Sequence, residues 1–145
     1  MNSSIDLEDI ISYGRFYPNI GDNRDHYWWF CTTDYQVYSI DDLIRQFHYT
    51  DTESIEYAGL FIPLFKTNMF ELENQYLSLL PNDEKKLYRS IKQQNSNRDY
   101  HTVFNIFLDI TQSWKRFYEF EKRHLREDAI DWCQQYGIRW TSSEK

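Results

Sequence analysis

The chain has 145 residues, of which 41% are hydrophobic and 19% aromatic, and its formal net charge is −7. This length suits one folded domain with its own core, and a chain so rich in aromatic residues is not intrinsically disordered. No apolar run is long enough to cross a bilayer, and the acidic start MNSSIDLED lacks the layout of a secretion signal. We therefore predict a single cytoplasmic domain over residues 1–145.

The first predicted element is a short helix. Ser3 and Asp6 have the spacing of a capping box, and the apolar residues after them predict a helix over about residues 4–13 that ends at Gly14. The segment RFYPNIGDNRD, residues 15–25, combines Pro, Gly, Asn and Asp and predicts a loop.

A β-hairpin and a second helix are predicted next. Residues 27–39 are rich in aromatic and β-branched side chains with a polar break, which predicts strands at about 27–32 and 35–39. Ser39 and Asp42 again have capping-box spacing and begin the helix. The residues expected on its apolar face are Ile40, Leu43, Ile44 and Phe47.

A third strand is predicted at about residues 57–65, where Pro63 favours the edge of a sheet. Helical patterns dominate the remaining chain, beginning with a cap at Asn68 and interrupted by Pro81. The predicted fold class is therefore α+β, with a small antiparallel sheet of about three strands and a mostly helical C-terminal half.

The segment from Phe117 to Trp140 combines aromatic and charged residues and raises the question of a ligand site. On a helix over about residues 114–136 its apolar side chains form one broad stripe, while most charges lie outside that stripe. Gly137 is placed to adopt the left-handed C-cap conformation, and Ile138 to make the accompanying apolar contact. A final helix explains the segment without a ligand.

The same segment carries a family resemblance. Its pattern of aromatic-Tyr-x-Phe, a charged helix, Ala-Ile-acid-Trp and a final Gly-Ile resembles the C-terminal signature of Uncharacterised Protein Family 0158, a set of small bacterial proteins. The segment FIPLF and the helices after it are similar to the same family, so the resemblance covers roughly residues 57–138. The glycine-rich, basic turn typical of the family is replaced here by NSNRDYHTVF. The resemblance implies a small bacterial cytoplasmic α+β domain, and it implies no particular activity.

Sequence motifs for catalysis and for cofactors are missing. The chain has four glycines and no GxxxxGK[ST], GxGxxG, HExxH or CxxC motif, so we predict no cofactor and no metal site. The two cysteines, Cys31 and Cys133, are interpreted as buried free thiols. Whether a catalytic or metal site forms around one of the histidines is left open by the sequence, and these residues are His26, His48, His101 and His124.

The basic residues of the last helix are the best candidates for binding nucleic acid. Trp114 and Tyr118 lie beside them and could stack on bases, but four acidic residues interrupt the cluster and leave the helix close to neutral. The candidate nucleic-acid contacts are Arg116, Lys122, Arg123 and Arg126.

The leading hypothesis is a non-enzymatic interaction or regulatory module that binds a basic protein partner. Residues 1–60 hold eleven acidic and three basic residues, which is a formal net charge of −8, and exposed tyrosines are common at interfaces. Ordinary solubility explains the same charge without a partner. The candidate contact residues are Asp41, Asp42, Asp51, Glu53, Tyr35 and Tyr49. The alternatives are a nucleic-acid-binding regulator that uses the last helix, an acidic decoy that inhibits a nucleic-acid-binding enzyme, and an enzyme with an unrecognised site.

Overall fold

The computed structural model describes residues 3–17 and 27–142. The strands in these ranges are short, and they are β1 Ile5–Asp6, β2 Arg15–Phe16, β3 Trp28–Cys31, β4 Val37–Ser39, β5 Phe61–Pro63, β6 Thr67–Asn68 and β7 Trp140–Thr141. The longer α-helices lie in the second half of the described chain, and the α-helices are α1 Leu7–Ile10, α2 Ile40–Gln46, α3 Thr52–Ala58, α4 Met69–Ser78, α5 Asn82–Gln94, α6 Tyr100–Thr111 and α7 Trp114–Tyr136.

The predicted α+β class is confirmed, because a small three-stranded antiparallel sheet is followed by a mostly helical C-terminal half. The chain divides into two compact units, which we call the sheet unit (Met1–Thr67 with Leu125–Lys145) and the helical unit (Asn68–His124). The prediction of one domain over residues 1–145 stays a prediction. Within the described ranges, none of the helices combines the length and the apolar character needed to cross a bilayer.

The central sheet has the order β4-β3-β5, and both neighbours run antiparallel to β3. The predicted hairpin is confirmed, with Trp29 opposite Tyr38. Pro63 lies opposite Trp29 on the other side, in an edge strand, as its missing N–H group predicts. Because successive side chains of a strand point to opposite faces, β3 contributes side chains to a separate core on each face of the sheet.

The two faces of the sheet bury different partners. On one face Trp29 and Cys31 pack with Ile40 and Leu43 of α2 and Ile55 of α3. The opposite face is covered by the first residues of the chain and by the C-terminal part of α7, where the buried side chains include Phe30, Phe65, Leu125, Ala129 and Trp132. The sheet unit is thus layered, with helices on both sides of three strands.

The predicted end of the last helix is confirmed in its geometry. Gly137 has a φ of 66°. Its N–H donates to the carbonyl of Gln134, and the N–H of Ile138 donates to the carbonyl of Cys133 at 2.9 Å. These two bonds form a Schellman motif, and the side chain of Ile138 is buried, as the pattern predicts.

The helical unit has an aromatic core. The ring of Tyr76 on α4 lies 5.2 Å from that of Phe117 and 5.3 Å from that of Phe120, both on α7. Phe104 of α6 lies 4.9 Å from Phe117. Asn68 caps α4 by accepting from the N–H groups of Phe70 and Glu71, which confirms the predicted cap.

Two predicted elements have different bounds in the structure. The helical segment expected over residues 4–13 is present and ends at Gly14, but it begins at Leu7, because Asp6 is its N-cap, and it changes to a 3-10 helix at Ile11. The strand expected at 57–65 is present but begins at Phe61, because Asp51 and Ser54 form a capping box that was not recognised in the sequence and α3 extends to Ala58. Gly59 ends this helix, and the strand is shortened to β5.

Both cysteines are free and buried, which confirms their interpretation. Burial raises the pKa of the Cys133 thiol to about 11, so this thiol stays protonated at neutral pH. A nucleophilic role for Cys133 has no support from this environment.

Candidate functional site

Helices α2 and α3 lie against the same face of the sheet and frame a cluster of aromatic rings. The ring of Phe47 lies 5.3 Å from that of Tyr38 and 5.7 Å from that of Phe61. Tyr49 lies 5.7 Å from Phe61 in an edge-on arrangement. Such edge-to-face contacts favour this arrangement of the rings, so the cluster forms a base for the residues around it.

Large apolar side chains around this base face solvent. Tyr57 is 95% exposed, Phe47 43% and Ile44 42%. Carboxylates lie on the same two helices, and in the described range 27–60 six acidic residues accompany one basic residue, Arg45. We define the acidic–aromatic surface as the exposed acidic and large apolar residues of positions 41–60, namely Asp41, Ile44, Phe47, Asp51, Glu53, Glu56, Tyr57 and Leu60.

Three of the six predicted contact residues are exposed on this surface. Asp41 accepts a hydrogen bond from the Tyr27 hydroxyl at 3.1 Å. Asp51 also has a structural function, because its carboxylate accepts from the N–H of Ser54 at 2.8 Å and caps α3. Glu53 lies one helical turn before Tyr57, so both side chains share one side of α3.

The other three predicted residues are only half-exposed. Asp42 lies in the first turn of α2, and Tyr49 packs on Phe61 beside the surface. Tyr35 packs instead against Phe30, 5.1 Å away, and so belongs to the core on the opposite face of the sheet. The structure therefore separates Tyr35 from the acidic residues with which it was grouped.

Sequence reasoning missed part of the surface. Ile44 and Phe47 were expected on the buried face of the second helix, yet only Ile40 and Leu43 are buried there. Helix α2 ends at Gln46, so Phe47 lies beyond its last turn. His48, the next residue, has a positive φ of 63°, a conformation that does not continue an α-helix.

A carboxylate–phenol pair lies at the edge of the ring cluster. Tyr38 donates its hydroxyl proton to the carboxylate of Asp34. This hydrogen bond and burial raise the pKa of Tyr38 to about 12. Burial acts to raise the pKa of Asp34, but hydrogen bonds from Tyr38, Cys31 and the Gln36 N–H outweigh it and hold that pKa below the ordinary value.

Removing the Asp34 charge is expected to lower the pKa of Tyr38 towards its ordinary value of about 10. Because the folded pKa of Tyr38 is raised, its contribution to stability is present below the unfolded pKa and is lost as the pH rises through about 12. NMR titration of ¹³C-labelled tyrosine in wild type and in Asp34→Asn measures this pKa. An unchanged Tyr38 pKa in Asp34→Asn would show that the hydrogen bond is not its cause.

The basic residues of the last helix are divided between contacts with acidic and aromatic groups. Arg116 donates from Nη2 to Glu84 at 2.9 Å and from Nε to the Tyr76 hydroxyl at 2.7 Å, which raises its pKa. The guanidinium of Arg123 lies 5.8 Å above the ring of Phe120. Two further members of this candidate set are Lys122, which is exposed, and Arg126, which lies 3.4 Å from Glu8.

The histidines do not gather into a site within the part of the chain that the structure describes. His101 Nδ1 lies 3.2 Å from the buried carboxylate of Glu73, and His124 packs 4.4 Å from Phe120. His48 is exposed, and His26 lies outside the described residues. Among residues 3–17 and 27–142, no three His, Cys, Asp or Glu side chains are grouped so that they could hold a metal ion.

Comparison of the chain with protein-family models, with curated proteins and with solved structures gives no match. The resemblance of residues 57–138 to Uncharacterised Protein Family 0158 therefore stays a prediction.

Proposed function

We propose that this chain is a non-enzymatic protein-interaction module that binds a basic protein partner through the acidic–aromatic surface. The proposal depends on one observation, the exposure of Ile44, Phe47 and Tyr57 among carboxylates on two adjacent helices. Aromatic side chains surrounded by polar groups are typical of interface centres, where a few of them supply most of the binding energy.

The chemistry of the partner follows from the charges of the surface. Asp41, Asp51, Glu53 and Glu56 are exposed, and Arg45 is the basic residue among them. A partner that presents Lys or Arg around an apolar pocket would complement both properties, and opposite charges would accelerate association. The proposal includes a bacterial cytoplasmic location, because the free thiols of Cys31 and Cys133 suit a reducing compartment.

Neutralising the surface carboxylates is expected to abolish capture of the partner. The surface variant combines Asp41→Asn, Asp51→Asn, Glu53→Gln and Glu56→Gln, and Asn at position 51 preserves a helix cap. A charge-matched control changes four exposed acidic residues elsewhere and combines Glu71→Gln, Asp83→Asn, Glu127→Gln and Asp131→Asn. Affinity capture from bacterial lysate, with quantitative mass spectrometry, should recover one stoichiometric protein with wild type and control, and at least about tenfold less with the surface variant.

A separate variant tests the apolar part of the acidic–aromatic surface. Tyr57→Ala removes a ring that is 95% exposed and should therefore leave the fold intact while weakening the captured complex by about tenfold. Calorimetry with the purified partner measures this loss.

Equal binding by wild type, surface variant and control would refute the proposal. Recovery of nucleic acid that is lost at higher salt would favour the hypothesis of a nucleic-acid-binding regulator instead. The decoy hypothesis stays a prediction.

A further inference from the structure

A cleft in the helical unit lies between the C-terminal end of α4 and the first half of α7. Its volume is about 320 Å³, within the range of small-molecule sites. The walls are mainly apolar, and their apolar part is formed by Tyr76, Leu79, Leu80, Pro81 and Phe120. The cleft belongs to a different unit from the acidic–aromatic surface, so an inference about it is independent of the proposed function.

The cleft is shaped by the end of α4. This helix stops at Ser78, and Pro81 precedes the start of α5 at Asn82. The turn between these helices leaves Leu79 72% exposed, while Leu80 is 7% exposed. An apolar side chain as exposed as Leu79 at the mouth of an apolar cleft is placed to contact a ligand.

One wall is held rigidly. The Tyr76 ring is 5% exposed and packs against Phe120 at 5.3 Å. The Tyr76 hydroxyl accepts from Arg116, whose other bond is to Glu84. The ligand-facing side of this wall is therefore formed before any ligand binds.

Three charged residues line the cleft, namely Arg116, Glu119 and Arg123. The charge of Arg116 is compensated by Glu84 at 2.9 Å. Arg123 lies over the Phe120 ring, and within the described part of the chain no carboxylate lies in ion-pair distance of it. The carboxylate of Glu119 is the group on the cleft that opposes an anion.

We propose that this cleft binds a small apolar carboxylate, with the carboxylate on Arg123 and the apolar body against Leu79, Leu80 and Phe120. A guanidinium can hold a carboxylate through two parallel hydrogen bonds, and its donors on Arg123 have no carboxylate in the described residues. The apolar walls bind the hydrocarbon part. A cationic ligand would meet two guanidinium groups, and a nucleic-acid strand would require a net basic surface that Glu84 and Glu119 prevent.

Sodium octanoate is the probe for this site. We expect saturable binding by calorimetry, with chemical-shift changes in ¹⁵N spectra centred on Leu79 and Arg123. 1-Octanol and octylammonium, which share the chain but lack the carboxylate, should bind at least about tenfold more weakly, because the hydrogen-bonded ion pair is missing.

Variants at the charged residues distinguish specific binding of the carboxylate from general binding to an apolar surface. Arg123→Gln should weaken octanoate about tenfold, and Glu119→Gln should strengthen it several-fold because the opposing charge is removed. Arg98→Gln is the matched control, since Arg98 is exposed and is not among the residues that line the cleft. Leu79→Asp should abolish octanoate binding without unfolding the chain, because the Leu79 side chain is 72% exposed. If Arg123→Gln alters thermal unfolding, the Leu79→Asp variant replaces it as the test of the cleft.

Four outcomes would overturn the proposal. They are absence of saturable octanoate binding, equal affinity for octanoate and 1-octanol, equal losses in Arg98→Gln and Arg123→Gln, and unchanged binding in Leu79→Asp. Binding of a short single-stranded oligonucleotide without octanoate binding would also reject it and would assign the Arg123 region to nucleic acid.

Discussion

Replacing Trp132 with alanine is expected to lower the free energy of unfolding by about 3–5 kcal/mol, the usual cost of deleting a buried Trp. Trp132 is 5% exposed, and its ring packs edge-on against Phe30 at 5.4 Å and lies 6.1 Å from Phe65. Its Nε1 donates to the carbonyl of Pro63 at 3.0 Å. The side chain thus joins the last helix to β3 and β5, so its loss leaves a cavity and an unpaired carbonyl together.

Two variants separate these contributions. Trp132→Phe retains a ring but loses the N–H group, so it should cost less than the alanine variant, with about 1–3 kcal/mol from the unpaired Pro63 carbonyl. Trp140→Ala, at a tryptophan that is 36% exposed, is the control and should change stability by less than about 1 kcal/mol. Urea unfolding followed by circular dichroism measures all three. Equal losses for Trp132→Ala and Trp140→Ala would contradict the central position of Trp132.

Substitution of Gly14 by alanine is expected to destabilise the chain by about 1–3 kcal/mol through overpacking. A Cβ at this position would overlap Cε2 of Phe65, closer than any tolerable contact. The Phe65 ring is 8% exposed and lies among the core residues of the sheet unit, so it cannot move away freely. The glycine is required here because another chain segment approaches its backbone closely.

A double-mutant cycle tests this contact. Phe65→Leu makes room for the added methyl group, so the double variant should lose less stability than the sum of the two single variants. Gly59→Ala is the comparison, because its Cβ would meet no atom within 4 Å and its cost of about 1–2 kcal/mol would come only from the φ of +73°. Additive losses of stability for the variants at positions 14 and 65 would show that residues other than Phe65 relieve the predicted clash.

Local patterns predicted many elements correctly, and the errors share a cause. The hairpin, the Ser39 and Asn68 caps and the Gly137 C-cap depend on residues close in sequence, and all are confirmed. The third strand begins at Phe61 and not at the predicted Tyr57, because the Asp51 capping box and Gly59 define a seven-residue helix that includes Tyr57. A short helix shows less than two turns of periodicity, so its apolar pattern resembles that of a strand.

The candidate sites could likewise be predicted only in part from the sequence. The sequence indicated that Asp41, Asp51 and Glu53 lie in an acidic region, but it grouped Tyr35 with them and placed Phe47 in the core. Tyr35 lies on the opposite face of the sheet, and Phe47 is 43% exposed. The cleft beside Arg123 was not predicted, because its walls combine residues from α4 and α7 that are about 40 positions apart in the chain.

By itself, the sequence determined the acidic N-terminal part, the absence of known catalytic motifs and the α+β class with a helical C-terminal half. These properties depend on composition and on side chains within a few positions of one another. The tertiary structure alone decided which aromatic residues are exposed, that Gly14 contacts Phe65, and that Arg116 pairs with Glu84 while Arg123 lies at an apolar cleft. The physical reason is that exposure and charge compensation depend on segments far apart in the chain, which only folding brings into contact.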